Sequence, residues 1–356
     1  MHIPTESIGS LPREPMLQDA YAQHKAGNLP RAELDQLAHA ATIAAIHQLE
    51  SIGSDCVTDG EQLKFDGFPS YCLFGNDCVS QEMVDLLQFA DGHWRGLPTL
   101  KKGPFRYSVT GDQFLKLALE HTDQPVKQAV ISPSMLTFMY PRNGIVGYSR
   151  TEFIDDLVNE HRAEIRRCLE LGAYKVQIDF TEARASLKID PSGQLLRDMV
   201  DLINRALAPF NAEERQRIGI HTCPGSDLDC THSAEIDYVD LLPTLFEVEV
   251  GNFYVAMAGE ADPAHGLRVV KSLLRPDIRV FIGVIDPSSP TVESVELVTE
   301  RILQAARYIP VDQLGICDDC GFSPFADDRS TPRELALAKM KARIAGVRRA
   351  EQILHD

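Results

Sequence analysis

A histidine and a cysteine stand two positions apart at the end of the short apolar run RIGIHTC, residues 217–223. Residues two apart in a β-strand face the same side, so His221 and Cys223 can present an imidazole nitrogen and a sulfur to one ion. Cys320 directly follows a second such run, LGICDD, and supplies another sulfur. Zinc prefers nitrogen and thiolate ligands, and a catalytic zinc commonly has three protein ligands and an open fourth position. The three residues predict Zn²⁺ as cofactor if the fold brings these two strand ends together.

Eight short runs rich in β-branched residues predict the strands that would do so. They lie at 6–10, 56–61, 126–132, 175–180, 217–223, 252–258, 279–286 and 314–319. Amphipathic segments between them favour parallel pairing, because parallel neighbours need long crossovers. No GxGxxG follows the first run, so the pattern favours an α/β fold of the (β/α)₈ TIM-barrel class over a doubly wound sheet. We expect a single domain over 1–356, with a hairpin-like insertion at about 62–125 after the second strand.

Polar residues end most of the predicted strands. A barrel projects such residues toward its C-terminal mouth, where barrel enzymes place their chemistry. The pattern therefore predicts one cluster formed by Glu61, Ser132, Asp179, Glu182, His221, Cys223, Asp286, Asp318, Asp319 and Cys320.

Composition narrows the class of partner. The chain has 35 basic and 52 acidic residues and a formal net charge of −17. Such a charge repels phosphate backbones and anionic lipids, so we expect neither nucleic acid nor membrane as a partner. The sequence has no apolar stretch of about 20 residues and no basic-then-apolar leader, which predicts a soluble cytoplasmic protein. Eight cysteines are too sparse for a disulfide framework in a chain of 356 residues.

Five motifs, in order, resemble the cobalamin-independent methionine synthase family, in particular its C-terminal catalytic barrel, and the related zinc-dependent alkyl-thiol transferases. The family's IGSFP, HGE, QIDEP, HxC and PDCG are similar to IGSLP (8–12), DGEQ (59–62), VQID (176–179), HTC (221–223) and DDCGFSP (318–324). The resemblance implies that His221, Cys223 and Cys320 bind zinc. It also implies substrate contacts: Glu61 and Asp179 with the amino group of homocysteine, and Ser10 with its carboxylate.

Three positions depart from the family pattern. The glutamate that would be the fourth zinc ligand falls on Ala256, so that position is empty, filled by water, or supplied by Glu247, Glu249 or Glu260. A histidine expected after the seventh strand is replaced in VIDPSSP, where Asp286 and Ser288 become the candidate catalytic residues. QIDEP has become QIDFTEA, which moves the second carboxylate to Glu182.

The predicted function is methyl transfer from a folate-type or other methyl donor to the zinc-activated thiol of homocysteine or a similar thiol. The segment ISPSMLTFMYP, with Ser134, Met135 and Tyr140, and Trp94 in the insertion are expected to face the donor. The predicted partners are thus a small thiol and a methyl or alkyl donor. Homo-oligomer formation stays open.

Several alternatives fit the same residues. The enzyme could be an alkyl-thiol transferase of the epoxyalkane–coenzyme M type, or a metal-dependent hydrolase or decarboxylase barrel, although a hydrolase site favours harder ligands than sulfur. Cys317 and Cys320 form a CxxC pair, so Cys317 could close a structural Cys₃His zinc site in a non-enzymatic scaffold, or the pair could be redox-active. Cys230 and His232, in DLDCTHS, could replace a ligand.

Overall fold

A computed structural model describes residues 2–65, 67–89, 92–223, 225 and 236–355. The strands are β1 (Thr5–Glu6), β2 (Val79–Gln88), β3 (Trp94–Leu100), β4 (Lys127–Ile131), β5 (Lys175–Asp179), β6 (Ile218–Thr222), β7 (Asn252–Val255), β8 (Arg279–Ile285) and β9 (Leu314–Asp318). The α-helices are α1 (Pro15–Lys25), α2 (Arg31–Ser51), α3 (Gly111–Leu119), α4 (Pro133–Leu136), α5 (Arg150–Leu171), α6 (Ala183–Ile189), α7 (Gln194–Leu207), α8 (Ala212–Arg215), α9 (Leu242–Leu245), α10 (Pro263–Leu273), α11 (Val295–Ala306) and α12 (Arg333–His355).

Seven strands form one parallel sheet in the order β1-β9-β8-β7-β6-β5-β4. The sheet curls into a half-barrel, because Glu6 on the first strand of that order reaches Lys127 on the last, with 3.4 Å between Oε2 and Nζ. Helices connect most of the consecutive strands, as parallel pairing requires. The prediction of an α/β fold with parallel strands is confirmed, and seven of the eight predicted runs supply strands of this sheet.

The predicted strand at 56–61 takes part only through an isolated parallel bridge between Val57 and Val126. The backbone N–H of Val57 donates to the carbonyl of Pro125 and that of Lys127 donates to the carbonyl of Val57, each at 2.9 Å. The run cannot continue as a strand, because Gly60 and Glu61 have φ angles of 63° and 57°, in the left-handed region. An eight-stranded barrel therefore stays a prediction.

A two-stranded antiparallel hairpin, β2 with β3, lies within the predicted insertion. Three of the residues at its end, Arg95, Gly96 and Leu97, face the same cleft as the ends of the parallel strands. The hairpin thus forms part of the wall above the mouth of the half-barrel. The exact bounds of the insertion stay a prediction.

The interior of the half-barrel holds a buried ionic cluster on the side opposite the strand C-termini. Glu6 accepts hydrogen bonds from Lys175 Nζ at 2.5 Å and from the Tyr254 hydroxyl at 2.6 Å. Burial alone would raise the pKa of Glu6, but Lys127 and Lys175 hold that pKa below its usual value. The cluster ties β1 to β4, β5 and β7.

The helices pack apolar faces on the outside of the sheet. Helix α5 begins with a capping box between Ser149 and Glu152 and ends at Gly172, whose φ of 107° suits a left-handed C-terminal residue. Cys168 lies on its buried face and belongs to the main core. None of the helices in the described ranges has the length and apolar character needed to cross a bilayer.

Candidate functional site

Three metal-binding side chains meet at the mouth of the half-barrel. His221 lies on β6, Cys223 directly follows that strand, and Cys320 lies two residues beyond β9. One ligand atom from each lies within 4.8 Å of the other two, and all three residues are buried. Strands β7 and β8 separate β6 from β9 in the sheet, so the curl of the sheet makes the meeting possible. The predicted convergence of the three residues is observed.

The chemistry of this group fits a soft divalent metal. Both ring nitrogens of His221 are buried, and neither has a hydrogen-bond partner among the described residues. Buried polar atoms are nearly always satisfied, so an imidazole with two orphaned nitrogens beside two sulfurs indicates a ligand that the protein itself does not supply. One nitrogen and two sulfur donors suit zinc better than magnesium or calcium.

The sulfur of Cys223 is held in an environment that favours its thiolate form. Its pKa lies well below the usual value, because the Cys320 thiol donates to it and the His221 ring lies beside it. The backbone N–H of Gly225 also donates to this sulfur, at 3.1 Å. Because the thiolate is the form that binds metals, this environment prepares Cys223 as a ligand.

The three residues open into a cleft that holds about 970 Å³ of empty space, part of it open to solvent. Its polar wall includes four of the predicted substrate-binding residues: Ser10, Glu61, Asp179 and Glu182. Its apolar wall comes from the hairpin and from loops at the strand ends, and includes Phe68, Phe89, Leu97, Met135, Phe138 and Phe325. Potential metal ligands, charged groups and apolar side chains therefore face one space.

Two of these carboxylates, Glu61 and Asp179, are buried close to the mouth. Burial raises the pKa of Glu61 to about 7; the Lys64 ammonium, 3.1 Å from its Oε1, opposes that shift, and the Asp179 charge adds to it. Burial also raises the pKa of Asp179, whose Oδ1 accepts a hydrogen bond from Gln177 at 2.8 Å. Two carboxylates on one wall suit a cation such as an ammonium group.

Glu182 is a third buried carboxylate on the cleft wall, in addition to Glu61 and Asp179. The Ser134 hydroxyl donates to its Oε1, and Ser134 lies 2.6 Å from the hydroxyl of Ser132. Burial raises the pKa of Glu182 to about 8, and its Oε2 is buried with no partner in the described part of the chain. Ser134 is not in the cleft wall itself, so it acts on the cleft through Glu182.

Ser10 links the first strand to the segment that follows Cys320. Its hydroxyl accepts from the backbone N–H of Ser323 at 3.1 Å, and its carbonyl accepts from that of Phe322 at 3.0 Å. A Cβ atom at position 321 would lie 2.1 Å from the Ser10 hydroxyl, so a larger residue there would displace that hydroxyl. The glycine of DDCGFSP thus permits the close approach of these two segments.

The sequence matches the family described as cobalamin-independent synthase, catalytic domain, over residues 3–343. The chain belongs to this family.

Named relatives agree with this membership. The chain is 21% identical over 349 residues to a methionine synthase of Sulfurisphaera tokodaii, covering 97% of this chain and 92% of that protein. It is 26% identical over 322 residues to a 5-methyltetrahydropteroyltriglutamate–homocysteine methyltransferase of a Synechococcus strain, covering 90% of this chain but only 40% of that protein's length.

Solved structures share the fold. A B12-independent methionine synthase from Shewanella sp. W3-18-1, solved with selenomethionine, superposes with a TM-score of 0.77 at 19% identity over 99% of both chains. A putative vitamin-B12-independent methionine synthase from Listeria monocytogenes gives a TM-score of 0.69 at 22% identity over 99% of both chains.

The fourth zinc ligand implied by the resemblance to the cobalamin-independent synthases is absent at Ala256, which is buried at the end of β7. Of the three predicted substitutes, Glu249 pairs with Arg215 and Glu260 pairs with Arg184. The cluster of metal-binding side chains in the described ranges contains none of the three. Asp319, beside Cys320, is also engaged, since its carboxylate accepts the backbone N–H groups of residues 257–259 at 2.7–2.9 Å.

Asp286 and Ser288, the predicted catalytic pair, do not line the cleft. The Asp286 carboxylate accepts from the backbone N–H of Ser288 at 2.9 Å and from its hydroxyl at 2.7 Å, so the two residues close a turn after β8. The backbone N–H of Asp286 donates to Glu293, and its carbonyl accepts from Lys339. Their catalytic role stays a prediction that their position does not favour.

The alternative metal ligands considered from the sequence are Cys317 and the pair Cys230 and His232. Cys317 packs in the barrel interior with Ile8, Tyr254 and Phe281, outside the metal-binding cluster, so the closed Cys₃His site is wrong. Cys317 faces the interior of the half-barrel from within β9, and its thiol donates to the Phe281 carbonyl at 3.6 Å. Cys230 and His232 lie outside the described residues.

Only some of the residues that line the cleft are predicted from the sequence. Met135 faces the cleft as predicted, whereas Trp94 is 48% exposed on the hairpin and the Tyr140 hydroxyl donates to the Tyr148 carbonyl. Phe138 is not among the predicted residues, although it lies in the same segment. Neither is Lys64, whose signal in the sequence is its position three residues after Glu61.

Proposed function

We propose that this chain is a zinc-dependent methyltransferase that moves a methyl group from a folate-type donor to the thiol of homocysteine or a similar thiol. The product is methionine or another thioether. The observation that carries the proposal is the meeting of His221, Cys223 and Cys320 beside the buried carboxylates Glu61 and Asp179 in one cleft. Family membership supports the reaction class.

His221, Cys223 and Cys320 would hold the zinc. When bound there, zinc supplies a Lewis acid that lowers the pKa of a thiol, whose ordinary value near 8.5 leaves little thiolate at neutral pH. No described carboxylate joins these three residues. We therefore assign the remaining ligand to the substrate thiol.

The other residues of the polar wall orient the acceptor. Glu61 and Asp179 offer charge-assisted hydrogen bonds to an ammonium group, and Ser10 offers its hydroxyl to a carboxylate. A thiol without an ammonium group, such as coenzyme M, would leave two buried carboxylates without a cation from the substrate. Leaving these buried carboxylates without that cation is unfavourable in free energy, which favours an amino-acid thiol over the epoxyalkane–coenzyme M alternative.

The apolar wall receives the donor. Phe138 and Met135 offer faces to a flat heterocycle, and Glu182 lines the same cleft. With a pKa of about 8, Glu182 is largely protonated at neutral pH and can donate a hydrogen bond to a ring nitrogen. We propose Glu182, supported by Ser134, as the polar contact with the donor in place of Asp286 and Ser288.

We further infer that the run at 56–61 occupies the eighth position of the barrel, between β4 and β1, as a short irregular segment with a single bridge, and that the chain acts as a single domain. The bridge at Val57 supports closure on one side, next to β4. On the other side the Thr58 hydroxyl donates to the Gly9 carbonyl at 3.0 Å, and the Leu11 N–H donates to the Gly60 carbonyl at 3.0 Å.

The direct test is transfer of an isotope-labelled methyl group to L-homocysteine by the zinc-loaded protein, followed by mass spectrometry. Labelled methionine formed from methyltetrahydrofolate supports the proposal. If labelled methionine forms only from a methylcobamide, the proposed acceptor is retained and the methyl donor is a methylcobamide instead of a folate. Absence of transfer from both donors would contradict the proposed reaction.

A further inference from the structure

Lys64 is a completely buried lysine directly behind the polar wall of the cleft. Its side chain is 0% exposed, and its Nζ lies 3.1 Å from Glu61 Oε1. Glu61 lines the cleft, whereas Lys64 does not. Lys64 therefore contacts a substrate-facing carboxylate from the protein side and has no place in direct substrate binding.

The backbone fixes this pair in one arrangement. Arg13 Nη2 donates to the carbonyls of both Glu61 and Lys64, at 2.7 and 3.2 Å. Glu61 itself has a φ of 57°, a left-handed conformation that is rare outside glycine and that sets the direction of its side chain. A Cβ at Gly9 would lie 2.6 Å from Glu61 Oε1, so the carboxylate is packed closely on that side as well.

The charge of Lys64 balances a group of buried acids. Burial alone would lower the pKa of Lys64, but the carboxylates of Glu61, Asp179 and Asp59 raise it above the usual value, so the ammonium stays charged. Lys64 Nζ also lies 5.1 Å from the centre of the Tyr71 ring. If the lysine were absent, these buried carboxylates would repel one another without a nearby cation.

We propose that Lys64 is a positioning residue that gives the cleft its preference for thiols carrying an ammonium group, by holding the Glu61 carboxylate against the cleft wall. The inference rests on the acceptor site of the proposed function. Without Lys64, Glu61 turns away or takes up a proton, and either change removes the partner of the substrate's ammonium group. The remainder of the thiol contacts do not depend on Lys64.

The test compares two thiols that differ only in the amino group, L-homocysteine and 4-mercaptobutanoate, by calorimetric titration of the zinc-loaded protein. One charge-assisted hydrogen bond corresponds to a preference of roughly 10- to 100-fold for L-homocysteine in the unchanged protein. Lys64→Met is expected to reduce this preference to about 3-fold or less while binding of 4-mercaptobutanoate changes little. Lys64→Arg, which keeps the charge, is expected to retain most of it.

Circular dichroism and the zinc content establish that each variant is folded and loaded. A folded Lys64→Met protein with the full preference for L-homocysteine would overturn the inference. If the unchanged protein binds neither thiol, the proposed acceptor site itself fails, and this inference fails with it. The two failures are therefore distinguishable.

A double variant keeps the test available if Lys64→Met does not fold. Glu61→Gln/Lys64→Met removes both charges of the buried pair, which costs less stability than removal of one partner. If Lys64 acts through Glu61, the double variant has the same preference between the two thiols as Glu61→Gln alone. A further decrease in the double variant would show that Lys64 acts on the acceptor by another route, contrary to the proposal.

Discussion

His221 and Cys320 come from the ends of β6 and β9, which have two other strands between them in the sheet, yet their ligand atoms lie within 4.8 Å of each other. A flat sheet could not produce this contact, since neighbouring strands are about 4.8 Å apart and the two ends would be about three times that distance from each other. The curl of the parallel sheet is thus what turns two separate strand ends into one candidate metal site.

The first prediction concerns Cys320. Cys320→Ser should leave the fold largely intact, lower the zinc content strongly and abolish methyl transfer, because a hydroxyl is a poor zinc ligand beside a remaining imidazole and thiolate. Cys317→Ser is the matched control three residues earlier on the same segment. It should keep the zinc and lose about 1–3 kcal/mol of unfolding free energy by burying a hydroxyl. Full activity in Cys320→Ser would remove that residue from the site.

A second prediction follows from the close approach at Gly321. In Gly321→Ala the new Cβ would meet the Ser10 hydroxyl at 2.1 Å, so that hydroxyl must rotate out of its present position or the two segments must separate. We expect an increase of about 10-fold or more in the KM for the thiol acceptor, with a smaller change in the KM for the donor. Steady-state kinetics with each substrate varied in turn measure both values. An equal effect on both substrates would contradict the assignment of Ser10 to the acceptor.

The third prediction concerns the donor wall. Phe138→Ala removes an aromatic face from the cleft and should raise the KM for the methyl donor about 10-fold or more, in line with the loss of one stacking contact. Trp94→Ala is the control, because Trp94 lies on the same side of the molecule but is 48% exposed and does not line the cleft. A larger effect from Trp94→Ala than from Phe138→Ala would place the donor elsewhere.

The fourth prediction is a pH dependence of stability at Glu164, away from the metal-binding residues. Burial raises the pKa of Glu164 to about 7, although the Gly111 N–H and the Tyr71 hydroxyl donate to its Oε1. Between the ordinary pKa of about 4.5 and pH 7 the folded protein holds a proton that the unfolded chain releases, so this residue makes the protein less stable as the pH rises through that window.

Glu164→Gln keeps an oxygen that can accept both hydrogen bonds and removes the titration. Its unfolding free energy, relative to the unchanged protein, should therefore increase between pH 4.5 and pH 7, by on the order of 3 kcal/mol in total. Urea unfolding at several pH values measures this difference. A difference that is constant with pH would show that Glu164 does not carry the raised pKa.

The sequence was sufficient for the parts of the molecule that depend on local pattern. Alternating strands and helices predicted the parallel sheet, and the two-residue spacing of His221 and Cys223 predicted a shared face. The position of Cys320 at another strand end completed the cluster. Each of these inferences uses only strand periodicity and the rule that parallel strands end on the same side.

The remaining parts depend on contacts that no local pattern specifies. The run at 56–61 fails to form a full strand because Gly60 and Glu61 adopt left-handed backbone angles, which the β-branched pattern of the run does not reveal. Asp286 also ends a strand, yet its carboxylate closes its own turn with Ser288 instead of facing the cleft. The apolar wall needs the hairpin to lie above the mouth, which is a tertiary arrangement.

The central claim is that His221, Cys223 and Cys320 hold a zinc ion that activates a thiol substrate. Zinc K-edge absorption of the zinc-loaded protein, with and without L-homocysteine, tests it most directly. We predict a resting shell of two sulfurs and one imidazole nitrogen with a fourth light atom, and the gain of one sulfur when L-homocysteine is added. A shell that is unchanged by L-homocysteine would contradict the account and favour a structural metal site.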